Sequence, residues 1–379
     1  MFVFILAIFI LYLKKLMIKN KTIAVVVPCF NEESQIKMVI ENMPDFVDRI
    51  VVVNDKSVDE TFNVVLNLIN SGNFNSKVKI ERKKVVPNFY NKAEQVLDEK
   101  NNAESGFFVP SEVVKNSSSN KIILINHFVN SGVGSAISSG YKWCKDNGID
   151  CTAVMAGDGQ MDPSELESIC LPVVDENIDY VKGNRLIHRS AWLVIPKVRY
   201  FGNSILSILT KLASGYWHVS DTQTGYTAIS NKAINSIRLY KIYKSYGMPN
   251  DILVKLNIAF CSLREVEIKP VYQIGERSKM KIFKVIPRVS WLLFKSFFKR
   301  LWVKYLFRDF HPLFVLYNFS FVLFFAWVPY FVKVSKYLYL GKDSSFETLF
   351  AFTFLGISAM QSFLFAMYMD IQDNERLYK

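Results

Sequence analysis

Cysteine and histidine are scarce in this 379-residue chain. The five cysteines are Cys29, Cys144, Cys151, Cys170 and Cys261. None form a CxxC pair and no histidine lies at zinc-ligand spacing from them, so they read as reduced, mostly buried thiols of a cytosolic domain. The histidines, His127, His188, His218 and His311, are scattered and form no Ser-His-Asp or metal-binding pattern. No internal repeat of roughly 20 to 50 residues is visible. Acidic residues are missing from one long stretch: Lys279 to Arg308 holds nine basic residues and no Asp or Glu.

What is present is apolar and basic. Half of the residues are hydrophobic and aromatics reach 15%, which excludes disorder and points to membrane contact. The length suits a core of about 200 residues with appendages. The net charge of +12 calls for an anionic partner. Its placement matters. Pro312 to Val332 and Leu349 to Met369 are free of charge, and each is long enough to cross a bilayer, with Lys333 to Thr348 as the link. A membrane-spanning hairpin over 311–379 is expected, with the C-terminus returning to the side it left. Just before it, residues 276–310 form a basic segment. At helical spacing Lys284, Arg288, Lys295 and Lys299 share one face, and Leu293, Phe297 and Leu301 lie opposite, as in a helix resting in the membrane interface. The basic flank predicts a multi-pass membrane protein with its soluble region in the cytoplasm. It also favours anionic lipid over nucleic acid. Residues 1–20 contain an apolar run, Met1 to Leu13, followed by Lys14, Lys15 and Lys19. It is short for a span and lacks a cleavage site, so it reads as a short membrane anchor or a buried surface helix.

The region 21–275 alternates strand and helix. Thr22–Val27, Arg49–Val53, Lys121–Ile125 and Asp150–Met155 are apolar strand candidates. Glu33–Met43, Thr61–Asn70 and Gly134–Cys144 are the helices between them. This rhythm predicts an α/β domain with a mainly parallel sheet. Residues 76–120 break it and read as an insertion or flap. In such sheets ligands bind beyond the carboxyl ends of the strands, so the loops there are the place to look for chemistry.

Three loops qualify. Pro28-Cys29-Phe30-Asn31-Glu32-Glu33 ends the first strand and opens a helix, where Asn31 serves equally as a helix cap. Asn54-Asp55-Lys56-Ser57-Val58-Asp59 ends the second, with Asp55 placed to accept bonds from a ribose or a base. Gly157-Asp158-Gly159-Gln160-Met161-Asp162-Pro163 ends a later one. There Asp158 and the Gln160 amide suit a hard cation, Mg²⁺ or Mn²⁺, that leaves positions open for diphosphate oxygens.

These loops, in this order and with Asn130-Ser131-Gly132-Val133-Gly134 between the last two, resemble the motifs of family 2 glycosyltransferases, in the polyprenyl-phosphate sugar transferase branch. The resemblance runs from about Thr22 to Lys281. It implies a GT-A nucleotide-sugar-binding domain, inverting chemistry and a divalent metal. It implies that Pro28, Asn31, Glu32, Asp55, Gly132 and Asp158 line the nucleotide-sugar site, with Asp158 and Gln160 on the metal. Thr224 and Gly225, within Asp221-Thr222-Gln223-Thr224-Gly225-Tyr226, resemble the acceptor loop. Arg277 and Lys279 resemble a basic loop over the phosphates. Asp251, expected as catalytic, resembles the acidic residue that is a general base in other family members, although a phosphate acceptor is already ionised and needs no base. Two positions depart: Ala156 replaces the first DxD carboxylate, and Asn54 the first acid of the usual pair.

The expected partners are a UDP- or GDP-sugar donor, a polyprenyl-phosphate or lipid-linked acceptor, and membrane lipids. The alternatives within reach are a transferase that extends a lipid-linked glycan or polysaccharide, and, because of Ala156, an inactive membrane scaffold.

Overall fold

The computed structural model describes residues 21–76, 78, 86–114, 120–271 and 282–379. The N-terminal run at 1–20, parts of the 76–120 insertion (77, 79–85 and 115–119), and Arg277 and Lys279 lie outside the described residues.

Among the described residues, eight strands form one sheet in the order β3-β4-β2-β1-β5-β7-β6-β8. They are β1 (Ile23–Cys29), β2 (Arg49–Asn54), β3 (Ser111–Val114), β4 (Ile122–His127), β5 (Cys151–Val154), β6 (Tyr180–Asn184), β7 (Thr227–Ser230) and β8 (Leu263–Glu267). The four expected strands are β1, β2, β4 and β5, and all run parallel. Their β-branched residues are fully buried because helices cover both faces. β7 is antiparallel to β5 and β6, and β8 is parallel to β6.

The helices are α1 (Ile36–Glu41), α2 (Thr61–Asn70), α3 (Lys92–Ala103), α4 (Val133–Asp146), α5 (Leu166–Val174), the one-turn α6 (Ala191–Val194), α7 (Lys197–Ser214), α8 (Asn231–Ser236), α9 (Met248–Ile258), α10 (Ile282–Trp302), α11 (Pro312–Tyr339) and α12 (Phe346–Glu375). One face of the sheet packs on α1, α2 and α5, and the other on α4, α8 and α9. The insertion is more regular than expected: it contributes α3, then β3, which pairs antiparallel with β4 as an edge strand.

α11 and α12 are long and apolar enough to cross a membrane, and only 11% of each span is buried within the protein. Apolar helices with that much outward surface are not the core of a soluble domain. Both run beyond the charge-free stretches: α11 continues through Lys333 and Lys336, so the link is only 340–345.

A third apolar cluster joins the hairpin to the domain. Leu206 and Ala213 of α7, Val254 of α9, Leu313 and Tyr317 of α11 and Ala366 of α12 meet in it. So do Leu293, Phe297 and Leu301 of α10. This corrects one expectation: the face of α10 expected to lie in lipid packs against protein, at about 1.5–3 kcal/mol for each buried side chain. Beside the cluster, Arg300 forms a buried bidentate pair with Asp370 near the end of α12, at 2.7 Å to each oxygen. Lys304 and Asn257 both reach Asn374. After α12 the chain runs beside β8: Leu263 N–H donates to Leu377 O at 2.7 Å, and Lys379 N–H to Leu263 O at 2.9 Å.

Candidate active site

The register places the chemistry on one edge. Cys29 pairs with Asn54 and Asn54 with Asn126, so the loops after β1, β2 and β4 emerge side by side. Val154 pairs with Thr227, and Thr227 with Lys182. The loop after β5, the segment before β7 and the residues after β6 therefore share that edge.

The first two loops are stitched together. Asn31 N–H donates to Ser57 Oγ at 3.0 Å, and Val58 N–H to Asn31 Oδ1 at 2.9 Å. Glu32 N–H donates to Thr61 Oγ1 at 2.8 Å. Asn31 holds φ +56°, a left-handed conformation that asparagine tolerates better than most residues.

Asp55 sits deeper than a ribose contact requires. It is buried, and its carboxylate accepts bonds from Gly132 N–H at 2.7 Å and Ser131 N–H at 3.0 Å. His127 Nδ1 lies 2.8 Å away, and its Nε2 lies 2.9 Å from Ser139 Oγ. Burial alone would raise the Asp55 pKa, but the bonds from His127, Ser131 and Gly132 outweigh it and hold the carboxyl below its usual range. Asp55 thus fixes the loop that opens α4. Gly132 stands at φ +90°, and a Cβ there would lie 2.5 Å from Lys244 O, so its glycine is demanded by that close backbone approach.

The loop after β5 carries Asp158 and Gln160 on one turn, with Gln160 N–H donating to Asp158 Oδ1 at 3.0 Å. Gly157 presses this turn onto β1: its N–H reaches Pro28 O, and a Cβ would meet Cys29 Sγ at 2.8 Å. Burial pushes the Cys29 thiol well up, and the charges of Glu32, Asp158 and Asp59 push it the same way. Three carboxylates thus concentrate negative field around this loop. Among the described residues, no group of three His, Cys, Asp or Glu side chains is placed to hold a metal. The donor set of Asp158 with Gln160 fits a hard cation that takes most of its shell from substrate oxygens and water.

The acceptor-side loop lies alongside. Tyr226 OH donates to Asp162 O at 2.9 Å, and Gly225 lies against the Met161 methyl. Asp221 organises it: its carboxylate accepts Thr224 N–H and Gln223 N–H, and takes Arg185 Nε at 2.8 Å and Nη2 at 3.1 Å. Glu265 accepts from Ser220 N–H and Asn184 Nδ2, and buried Lys182 donates to Thr224 O. Burial lowers the Lys182 pKa to about 8, with Asp221 and Glu265 pulling it back up. Thr224, expected on the acceptor phosphate, is turned into the fold; Gly225 is the partly exposed member of the pair. Asp251, at the start of α9, is buried, accepts Tyr243 N–H at 2.8 Å and is paired with Lys255. The carboxylate expected to be catalytic therefore holds the 243–251 turn.

The sheet edge thus brings together Pro28, Asn31, Glu32, Asp158, Gln160 and Gly225, with Asp55 and Gly132 beneath. Lys182, Asn184 and Arg185 were missed by sequence reasoning. The signal was a cationic pair with asparagine at a strand end, masked because Lys182 and Gly183 interrupt the apolar pattern of β6.

No protein-family model matches the chain. It is 27% identical over 254 residues to the UDP-N-acetylglucosamine–dolichyl-phosphate N-acetylglucosaminyltransferase of Methanococcus voltae, covering 67% of this chain and 87% of the relative. It is 26% identical over 256 residues to an uncharacterized protein of Methanocaldococcus jannaschii, covering 67% and 84%. Among solved structures, glucosyl-3-phosphoglycerate synthase of Mycobacterium tuberculosis aligns with a TM-score of 0.45 at 18% identity, over 76% of this chain and 82% of that one. The ordered strand-end motifs and the Methanococcus relative together support a family 2 glycosyltransferase of the polyprenyl-phosphate branch.

Proposed function

We propose that this protein transfers a sugar, with inversion, from a nucleotide-sugar to polyprenyl phosphate at the cytoplasmic face of a membrane. The observation that carries the reading is that two features are packed together in one chain. The strand-end loops bearing Glu32, Asp158 and Gly225 share an edge, and the same domain is bonded through Arg300 and Asn257 to a membrane-length hairpin. The Methanococcus relative, whose name pairs a UDP-sugar with dolichyl phosphate, supports the substrate pair.

Asp158 and Gln160 would hold a divalent cation. When bound, such a cation supplies positive charge that stabilises a departing nucleoside diphosphate. The chain's own part is arrangement. Asp55 pins the α4 loop, and Asn31 with Ser57 locks the two nucleotide-side loops into one wall. Asp221, Lys182 and Glu265 set the backbone of 220–225, so that Gly225 brings main chain close to the acceptor. Arg277 and Lys279 belong to the reading as holders of phosphate. A phosphate acceptor is ionised at neutral pH, which leaves Asp251 free to act in positioning alone.

The test is transfer of radiolabelled sugar from UDP- and GDP-sugars, with Mg²⁺ or Mn²⁺, into an organic-extractable, mild-acid-labile product. Label found only in acid-stable glycan would shift the acceptor to a lipid-linked sugar. No transfer from any donor would refute the reading.

A further inference from the structure

The helices that follow β6 are apolar on two opposite sides. The inner side of α7 buries Leu206, Thr210 and Ala213. About half a turn round, Phe201, Ile205 and Ile208 form an exposed stripe at i, i+4, i+7 spacing, with Ile208 at 66% exposure. The preceding turn, α6, exposes Trp192, Val194 and Leu193, the last at 83%. Trp192 meets Tyr200 and Phe201 edge-on at 5.3 and 6.3 Å, and Lys197 Nζ lies 5.6 Å from its ring. The neighbouring α10 repeats the arrangement. Trp291 is exposed, stacks on Phe294 at 5.5 Å, and has Lys295 Nζ at 5.0 Å.

Exposed apolar surface of this extent is not left facing water. Tryptophan with a lysine folded over its ring is the pairing favoured where hydrocarbon gives way to head groups. Continuity identifies the occupant. The inner side of α7 packs in the same cluster as Leu313, Tyr317 and Ala366, which lie at the domain-proximal ends of the two membrane-length helices. A bilayer entered by those helices meets the outer side of α6 and α7 next.

We propose that the outer stripe of α6 and α7, with Trp291 and Phe294 of α10, is a membrane contact separate from the hairpin, seated in the head-group layer. The seat reaches the site through one residue. Ser207, on the inner side of α7, donates to Ser220 O at 2.8 Å and lies 3.1 Å from Thr222 Oγ1. The depth of α7 in the lipid therefore sets the height of the 220–226 loop above the bilayer. This second step rests on the proposed lipid acceptor.

The test uses the full chain in vesicles of zwitterionic and anionic lipid. The five native cysteines are buried, so a thiol introduced by Ile208→Cys can be labelled selectively with an environment-sensitive fluorophore. Parallel probes go at Lys37 on α1, across the sheet, and at Phe325 in α11. Nitroxide-bearing lipids are expected to quench Ile208 nearly as strongly as Phe325, and several-fold more than Lys37. Quenching at Ile208 equal to that at Lys37 would overturn the proposal. So would a blue-shifted probe that lipid nitroxide does not reach, which would mean that a second copy covers the stripe. For the second step, Ile205→Asn/Ile208→Asn is expected to raise the KM for membrane-borne acceptor about tenfold, with the donor KM unchanged. An unchanged acceptor KM beside strong quenching would refute the coupling to the loop and leave the membrane contact standing.

Discussion

Replacing Arg300 by methionine should loosen the hairpin from the catalytic domain, and the size of the effect follows from its contacts. Arg300 is fully buried and donates to both oxygens of Asp370, and to the carbonyls of Ala213 and Leu212 at the end of α7. The single variant leaves the buried Asp370 carboxylate without its countercharge, which costs about 3–5 kcal/mol. Folded domains hold only about 5–15 kcal/mol in reserve, so this is a large fraction. Asp370→Leu strands the guanidinium instead and should cost a similar amount. In Arg300→Met/Asp370→Leu both charges are gone. What remains is the loss of acceptors for Tyr305 and Asn374 and of a donor for the two carbonyls, expected at about 1–2 kcal/mol in total. Equilibrium unfolding in mild-detergent micelles, followed by near-ultraviolet circular dichroism, measures all four corners of the cycle. A single-variant cost below about 1 kcal/mol, or a double variant as unstable as the sum of the singles, would refute the argument that the pair works as a buried unit.

Asp158→Asn should lower sugar transfer by about a hundredfold or more while thermal unfolding stays unchanged, since the carboxylate serves the site and not the core. Asp55→Asn turns an amide donor toward Ser131 and Gly132 and should cost about 1–3 kcal/mol in denaturant melts. Because the Asp55 carboxyl is held below its ordinary value of 3.8, its contribution to stability is present above that pH and is lost as the pH falls through the lowered value; the variant should show a flatter acid limb. Lys182 titrates at about 8 in the fold against 10.5 when unfolded, so between those values the unfolded chain binds more protons and stability from this group rises with pH. Lys182→Met should abolish that rise in Tm measured from pH 8 upward.

The parallel half of the fold was legible because its strands are uninterrupted apolar runs, each ending in a loop that announces itself. Thr61–Asn70 is a helix with the expected boundaries, while β1 runs on through Pro28 because a partner strand holds it. The second half was not legible. β6 places Lys182 in its middle and β7 is four residues long, so neither shows a period. The side-chain loyalties of the site were hidden for a related reason. Asp55, Asp251 and Thr224 stand where ligand contacts were expected, yet each is buried and bonded within the fold: Asp55 to Gly132 far along the chain, Asp251 to Tyr243 N–H and Lys255, and Thr224 to Tyr226 N–H. The lipid-facing side of α10 was misjudged because Leu293, Phe297 and Leu301 are apolar toward either lipid or protein, and only α7 and α11 decide which.

The pairing of Leu377 and Lys379 with Leu263 has a consequence for biogenesis. The start of the sheet's outer strand, at Leu263, is paired by residues that leave the ribosome only after α11 and α12, across a sequence separation of 115 between Arg264 and Lys379. A sheet begun at Ile23 therefore waits, with Leu263 unpaired on its outer side, until both long helices have been made. Insertion of the hairpin and completion of the soluble domain become successive stages of one assembly, and a chain stalled between them leaves the start of β8 without its outer partner. Replacing Leu377 by proline would act at that late stage, weakening the 377–379 segment's hold on Leu263 without touching a residue of the proposed site.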